Sequence, residues 1–461
     1  MTKTGKKNID MINGPLVSGI IRFALPILAT GILNLLYNAA DIVVVGRYAG
    51  DTAQAAVSST SSLINLIVNA CMGLSVGSNV VVARMIGAKS KEGVHRSVHT
   101  AISLSIICGI FTALVGFFFS RSILVAMGSP DDVIDMSALY LKIYFIGTPA
   151  NMIYNFGASI LRASGDTKRP LLFLSISGLV NVLLNLFFVI VFGMNVDGVA
   201  FATISSQFLS AGMVLFVLLR EKGDIKLELK KLRIYKRELI NIVKVGVPSG
   251  FQSILFSISN VMLQSSYNSF GSIAMAGCGA GANIEGFVYT SMNSIYQATL
   301  TFVSQNYGAK NYKRLNKIMF SCIGVSVVVG VVTGYTAIFF GRQLAGLYSS
   351  DPLVIDIAVE RLWVISGTYF LCGIMEIGSG MLRGIDRSFF PMAVSIIGVC
   401  GFRILWISTF FVRFRHLVSL YITYPLSWIL TAAILFIGYA YFYKKLIKSG
   451  ESKSDADLAA K

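Results

Sequence analysis

The sequence predicts an all-α integral membrane protein of about 12 transmembrane helices, in two parallel six-helix lobes related by a pseudo-twofold along the membrane normal. Three observations predict it. Of 461 residues, 55% are hydrophobic and 13% charged, with a mean hydropathy of +0.71, which leaves too little polar surface to cover a soluble body of this size. Long apolar runs recur between charged or Gly/Pro clusters, and about 20 apolar residues make one span. The chain also repeats itself at a constant offset of 221 residues. Soluble, fibrous and disordered classes are excluded.

In chain order the apolar runs lie at 17–46, 55–81, 97–119, 136–160, 170–192 and 197–219, then at 241–268, 275–303, 318–340, 360–381, 390–412 and 418–443. Residues 1–16 form an N-terminal segment, 17–219 a first lobe, 220–240 a connector, 241–443 a second lobe and 444–461 a tail. The opening residues run into span one without a short apolar region and cleavage site, so no cleaved signal peptide is expected, and the first span acts as the targeting signal.

Twelve spans put both termini on one side, and the formal charge of +17 shows which. Arg84, Lys89, Lys91, Arg96, Arg162, Lys168, Arg169, Lys310, Lys313, Arg314, Lys317, Arg383, Arg387, Lys444, Lys445 and Lys448 fall on the terminal side. The opposite loops offer Arg47, Arg121, Arg342, Arg361, Arg413 and Arg415, some offset by Asp131, Asp132, Asp351 and Asp356. By the positive-inside rule both termini are cytoplasmic. The basic excess is a topology signal, and nucleic acid is not an expected partner. The polar stretch from Arg220 to Lys244 mixes Lys/Arg with Glu at helical spacing and reads as a cytoplasmic connector.

The repeat is carried by several weak matches at one offset. Gly87-Ala88-Lys89 recurs at Gly308-Ala309-Lys310, Leu161-Arg162 at Leu382-Arg383, Pro170 at Pro391, and Val133-Ile134-Asp135 at Val354-Ile355-Asp356. Six spans per copy is an even number, so the repeat is parallel, and a cavity between two such bundles suits alternating access. The six cysteines stand singly in apolar runs and read as small buried hydrophobes.

With these residues in view the sequence resembles the multidrug and toxic compound extrusion (MATE) family. The likeness rests on Pro26 followed by Asp41, on VARMIGAK (82–89) with its echo VSQNYGAK (303–310), on LRASGDTKRP (161–170) with LRGIDRSFFP (382–391), on NVLLN (181–185) and on GVAFAT (198–203). It covers all twelve spans. The resemblance implies a multidrug exporter that exchanges small organic cations or other amphiphiles for Na⁺ or H⁺ by alternating access, with no cofactor, working as a monomer among membrane lipids.

Ionisable groups inside spans are expensive and are default functional candidates. Asp41, Glu285, Glu376 and Arg403 lie deep in runs, and the offset gives none of them a charged twin: Glu376 corresponds to Asn155, Glu285 to Ile64, Arg403 to Val182, and Asp41 falls near Leu263. Scaffold charges would tend to be copied, so the asymmetry favours function. Asp41, Asn185 and Thr203 lie at similar depths, and Asn181 shares a helix face with Asn185. One carboxylate with neutral oxygens suits a hard monovalent cation, Na⁺ at Asp41 being the one metal considered, or a proton held at a desolvated carboxyl. Plain interhelical bonding is the competing role for Asn181, Asn185 and Thr203.

In the archaeal DinF-like branch similar positions form the cation site of the first lobe, with a carboxylate where Asn185 stands here. The NorM-like branch has a span-seven acid, where this chain offers Gln252, Ser253, Ser257, Ser259 and Asn260, and a span-ten aspartate, where it has Cys372. Glu285, Glu376 and Arg403 are therefore the proton or substrate candidates of the second lobe, with a Glu285–Arg403 ion pair as the structural alternative.

Gly73-Leu74-Ser75-Val76-Gly77 matches a nucleophile motif, but inside a span it reads as helix packing, as do the pairs Gly277/Gly281, Gly330/Gly334 and Gly380/Gly384. His95 and His99 share a helix face without a third metal ligand nearby. No nucleophile–base pair at matching depth and no phosphate-binding loop is found, so an enzyme is not expected. The alternative function is a flippase for lipid-linked saccharides or peptidoglycan precursors, which would need a basic cavity.

Overall fold

The computed structural model describes residues 9–48, 50–126 and 131–459, and among them every regular element is helical. The first half holds α1 (Leu16–Tyr48), α2 (Asp51–Gly87), α3 (Lys91–Ala126), α4 (Asp131–Ile146), α5 (Thr148–Ala163), α6 (Lys168–Leu186), a π-helical turn (Phe187–Val191) and α7 (Val196–Arg220). The second holds α8 (Lys236–Asn268), α9 (Ser272–Gly308), α10 (Tyr312–Phe339), α11 (Gly341–Gly346), α12 (Pro352–Ile365) and α13 (Tyr369–Gly384). It ends with α14 (Phe389–Ser395), a π segment (Ile396–Gly401), α15 (Phe402–Trp406), a second π segment (Ile407–Phe411), α16 (Leu417–Tyr421) and α17 (Thr423–Ala459). Each of the twelve expected runs falls on one of these helices or on consecutive ones. Nine helical stretches among the described residues are long and apolar enough to cross a membrane. Large apolar side chains such as Phe118 (70% exposed), Phe320 (67%) and Ile437 (70%) point outward, as a multi-pass membrane protein requires of its lipid-facing surface.

The 221-residue offset is written into the helix ends. α2 and α9 start and stop at matching positions, as do α5 and α13, while α3/α10, α4/α12, α6/α14 and α7/α16 start in register. The repeated motifs explain why. Lys89 and Lys310 have positive φ (53° and 56°) and close α2 and α9 with the same pair of bonds: Lys89 N–H to Ile86 and Ser90 N–H to Met85, matched by Lys310 to Tyr307 and Asn311 to Asn306. Gly165 and Asp386 (φ 90° and 69°) do the same after α5 and α13. These are Schellman caps, so GAK and the segment after Leu-Arg are helix-stop signals. A lysine tolerates the left-handed region poorly, which makes its recurrence a constraint of the turn.

The chain divides into two compact units. One comprises Leu25–Gly250; the other comprises Asp10–Ala24 and the described residues from Phe251 onward. The changes of unit within α1 and α8 fall beside Pro26 and Pro248, the prolines inside those helices. A proline removes one helical hydrogen bond, and the Thr30 hydroxyl donates to the Pro26 carbonyl at 2.7 Å.

In the first unit Val82, Val98, Ile102, Phe156, Ile160 and Leu218 form a buried core, joined by Ile225 and Leu227 of the connector. The connector itself is not a helix: apart from one 3₁₀ turn at Leu229–Lys231 it runs irregularly until α8. Its charges share a helical spacing, yet its apolar residues dock back and its backbone bonds outward. Leu227 N–H donates to the Leu218 carbonyl at 2.9 Å, Glu228 N–H to His99 Nε2 at 3.1 Å, and Tyr235 N–H to Thr100 Oγ1 at 3.1 Å. The Lys231 ammonium, 2.7 Å away, holds the Glu228 carboxyl below the usual range.

Candidate functional site

In the first unit α1 is seated on α6 by size matching. Gly178 leaves room for the Tyr37 ring, whose atoms a Cβ there would meet at 1.9 Å, and the Tyr37 hydroxyl donates to the Ser175 carbonyl at 3.3 Å. Asp41 lies one turn beyond Tyr37, and Asn185 two turns beyond Gly178, so the packing that fixes the first pair brings the second together. Asn185 Nδ2 donates to Asp41 Oδ1 and reaches Asn181 Oδ1 at 3.4 Å. Asn185 is fully buried and its Oδ1 has no hydrogen-bond partner. Tyr140 and Tyr144 of α4, both buried and stacked at 6.2 Å, lie within electrostatic range of the Asp41 carboxylate. Around them Val44, Val45, Ala53, Val189 and Val199 build an apolar wall.

Thr203 differs from the other three expected members. Its hydroxyl donates to the Val199 carbonyl one turn back at 2.9 Å, because a helical threonine finds that acceptor without crossing to another element. The remaining donor set is all oxygen: a carboxylate, the Asn181 carbonyl and an unpartnered Asn185 carbonyl. It fits a hard monovalent cation, and it equally fits a proton shared between Asp41 and a neutral acceptor.

In the second unit the ion pair is not the one expected. Glu285 pairs with Arg361, Nε and Nη2 reaching its two oxygens at 2.8 and 2.9 Å, and both residues are about 5% exposed. Arg403 is not its partner. By sequence Arg361 stands near the end of a run, among the loop charges, but α12 carries it inward, and Gly281, one turn before Glu285, leaves space for its stem (a Cβ would meet Arg361 Cδ at 2.9 Å). Tyr267, Tyr421 and Tyr424 surround the guanidinium at 5.2–5.9 Å. A buried bidentate pair held by aromatic faces is a structural arrangement of high directionality.

Glu376 is 8% exposed and makes no ion pair among the described residues. On the same face of α13, two turns on, lies Arg383, likewise a buried side chain among the residues assigned to loops. It donates to the Tyr296 hydroxyl and, at 2.6 Å, to Gln252 Oε1. Arg403 is 5% exposed; its Nη1 donates to Asn260 Oδ1 at 3.2 Å, and its guanidinium lies 4.2 Å from the centre of the Tyr424 ring.

The weaker motifs resolve into packing. Gly73 and Gly77 let α2 approach the α8 backbone at Gly250 and Ile242, so Ser75 sits in a helix crossing rather than a nucleophile turn, and its hydroxyl donates to the Met72 carbonyl. Gly277, Gly330 and Gly384 likewise face Ile357, Phe370 and Val303. His99 uses both ring nitrogens, Nδ1 toward the His95 carbonyl at 2.7 Å and Nε2 toward Glu228 N–H. Among the described residues no cluster of His, Cys, Asp or Glu could hold a metal ion.

Comparison with known proteins matches this architecture. The MatE family profile covers residues 26–187 and 248–407. The chain is 27% identical over 434 residues to the probable multidrug resistance protein YoeA of Bacillus subtilis (strain 168), covering 92% of this chain and 93% of that protein. It is 26% identical over 389 residues to the probable multidrug resistance protein NorM of Thermotoga maritima, 82% of each chain being covered. A MATE crystal structure in the bent conformation superposes with a TM-score of 0.89 at 22% identity, covering 97% of this chain and 99% of the other. With the profile on both copies of the repeat and the fold shared end to end, the chain belongs to the MatE family, a family of transporters rather than enzymes.

Proposed function

We propose that this protein is a secondary active exporter of small amphiphilic compounds, organic cations among them, driven by exchange for Na⁺ or H⁺ at Asp41 through alternating access. It works as a monomer in a bacterial plasma membrane with both termini in the cytoplasm, the side to which the Lys/Arg distribution points. The two lobes are the spans of 17–219 and 241–443.

The observation that carries the reading is the Asp41–Asn185 contact: a carboxylate beside an apolar wall whose hydrogen bond, among the described residues, comes from a neutral amide. An intramembrane carboxylate without a cationic partner is costly unless a mobile cation neutralises it. In the described state Asn185 turns its N–H to Asp41 and leaves Oδ1 unpartnered; a flip of that amide would present the oxygen to an arriving cation. Cation capture would remove the charge that opposes burial, and its release would restore it, so occupancy biases which side the lobe faces. One charge moving down 100 mV contributes about 2.3 kcal/mol, roughly a forty-fold gradient. Glu376, the less constrained carboxylate of the second lobe, is the second proton or substrate candidate, whereas Glu285 is held by Arg361.

The test is efflux from proteoliposomes under a Na⁺ gradient and a pH gradient applied separately. Asp41→Asn is expected to bring ion-driven efflux down to the protein-free background while thermal unfolding is unchanged. Wild-type efflux indifferent to both gradients, or an Asp41→Asn protein that still couples, would overturn the assignment.

A further inference from the structure

Three arginines of the second unit are buried to 4–6% exposure, against two buried carboxylates in its spans, Glu285 and Glu376. Glu285 occupies Arg361 on both oxygens. Arg383 is bonded to Tyr296 and Gln252 and shares a helix face with Glu376. Arg403 is different: no carboxylate lies within ion-pair distance of it among the described residues. Nη1 has Asn260, the flat of the guanidinium has Tyr424, and Nε is buried without an acceptor. The Nε–Nη2 edge, the one that grips a carboxylate side-on, makes no hydrogen bond to a described residue.

Leaving a guanidinium so far inside a span without an anion is an expensive arrangement. The backbone around it also departs from that of the first copy. Arg403 sits on the five-residue α15 between π segments Ile396–Gly401 and Ile407–Phe411, whereas its counterpart Val182 lies in regular α6 with one π turn after it. The segment before Arg403 is the one the first copy lacks. Such π segments concentrate at functional sites. The face of Tyr424 is already covered by the resident guanidinium, so an organic cation would find its aromatic surface taken and a like charge beside it.

We propose that Arg403, with Asn260 and Tyr424, recognises the carboxylate of an amphiphilic compound, so that the second lobe selects zwitterions and organic acids rather than simple cations. This rests on the exporter reading above and specifies its substrate class.

Rhodamine 110, which carries a free carboxylate, and rhodamine 123, its methyl ester, share one fluorescent body and differ at that group. Binding is measured by fluorescence polarisation on the purified full chain, and efflux in proteoliposomes. Wild type is expected to prefer the acid about tenfold, the size of one charge-assisted hydrogen bond. In Arg403→Gln the acid-to-ester ratio falls to near one, and Arg403→Lys keeps part of it. A wild-type preference for the ester, or a ratio unchanged in Arg403→Gln, would overturn the proposal. The wild-type ratio decides even where a variant fails to fold. If neither dye is moved across the bilayer, it is the exporter reading that fails, while the binding ratio still tests Arg403. A preference present in phosphatidylcholine vesicles and lost on adding phosphatidylglycerol would assign the edge to a lipid headgroup and overturn the substrate reading.

Discussion

The two copies of the repeat treat a carboxylate inside a span in opposite ways. In the second unit Glu285 meets a cation of the protein itself, Arg361, in a bidentate pair caged by tyrosines. At the matching positions of the first unit stand Ile64 and the buried Tyr140, and the carboxylate of that unit, Asp41, meets the neutral Asn185 instead. One unit thus sets its carboxylate against a cation of the protein, and the other sets its carboxylate against a neutral amide. A cancelled charge contributes rigidity; an uncancelled one responds to its surroundings. On the proposed reading, scaffold and switch are separable by asking which charge inside a span the protein has already neutralised.

Breaking the cancelled pair should give the largest effect on stability. Glu285→Gln leaves Arg361 buried and unpaired, and should lower stability in detergent by about 3–5 kcal/mol, read as a drop in unfolding temperature. Replacing both residues with their counterparts, Glu285→Ile with Arg361→Tyr, should recover most of that loss. A Glu285→Gln protein of wild-type stability that cannot transport would move Glu285 from scaffold to switch.

Next comes the seat of α1. Gly178→Ala places a methyl in the Tyr37 ring and should cost about 1–3 kcal/mol by overpacking, while the displaced helix separates Asp41 from Asn185 and reduces ion-driven efflux. Unchanged unfolding and efflux together would show that α1 adapts and that the contact does not depend on this packing.

The smallest expected change in stability is at the switch itself. Asn185→Ala removes one charge-assisted hydrogen bond, and should slow coupled efflux about tenfold while leaving the fold intact. A destabilisation as large as that of Glu285→Gln, with coupling retained, would make Asn185 a structural bond and erase the contrast between the units.

Much of this was legible in the chain. The offset of 221 residues, read from a few loop motifs, recurs in helix ends and left-handed turns, because a Schellman cap is a local event fixed by a handful of consecutive residues. Span depth likewise brought Asp41, Asn181 and Asn185 to one level, since a helix converts sequence distance into height. Side-chain partners were less legible. The hydroxyl of Thr203 satisfies its own helix, and Glu285 chose Arg361 over Arg403.

Membrane class, doubled architecture and the places where helices stop all follow from composition or from residues adjacent in the chain. Which charges meet is set by packing in three dimensions. Glu285 and Arg361 are 76 residues apart, and their pairing depends on the gap at Gly281 that lets one helix approach another. The connector was settled the same way: its charges have helical spacing, but burial of Ile225 and Leu227 and the acceptor at His99 hold it as an irregular strap. Pairing across helices is a matter of distance and shape, which a linear pattern does not encode.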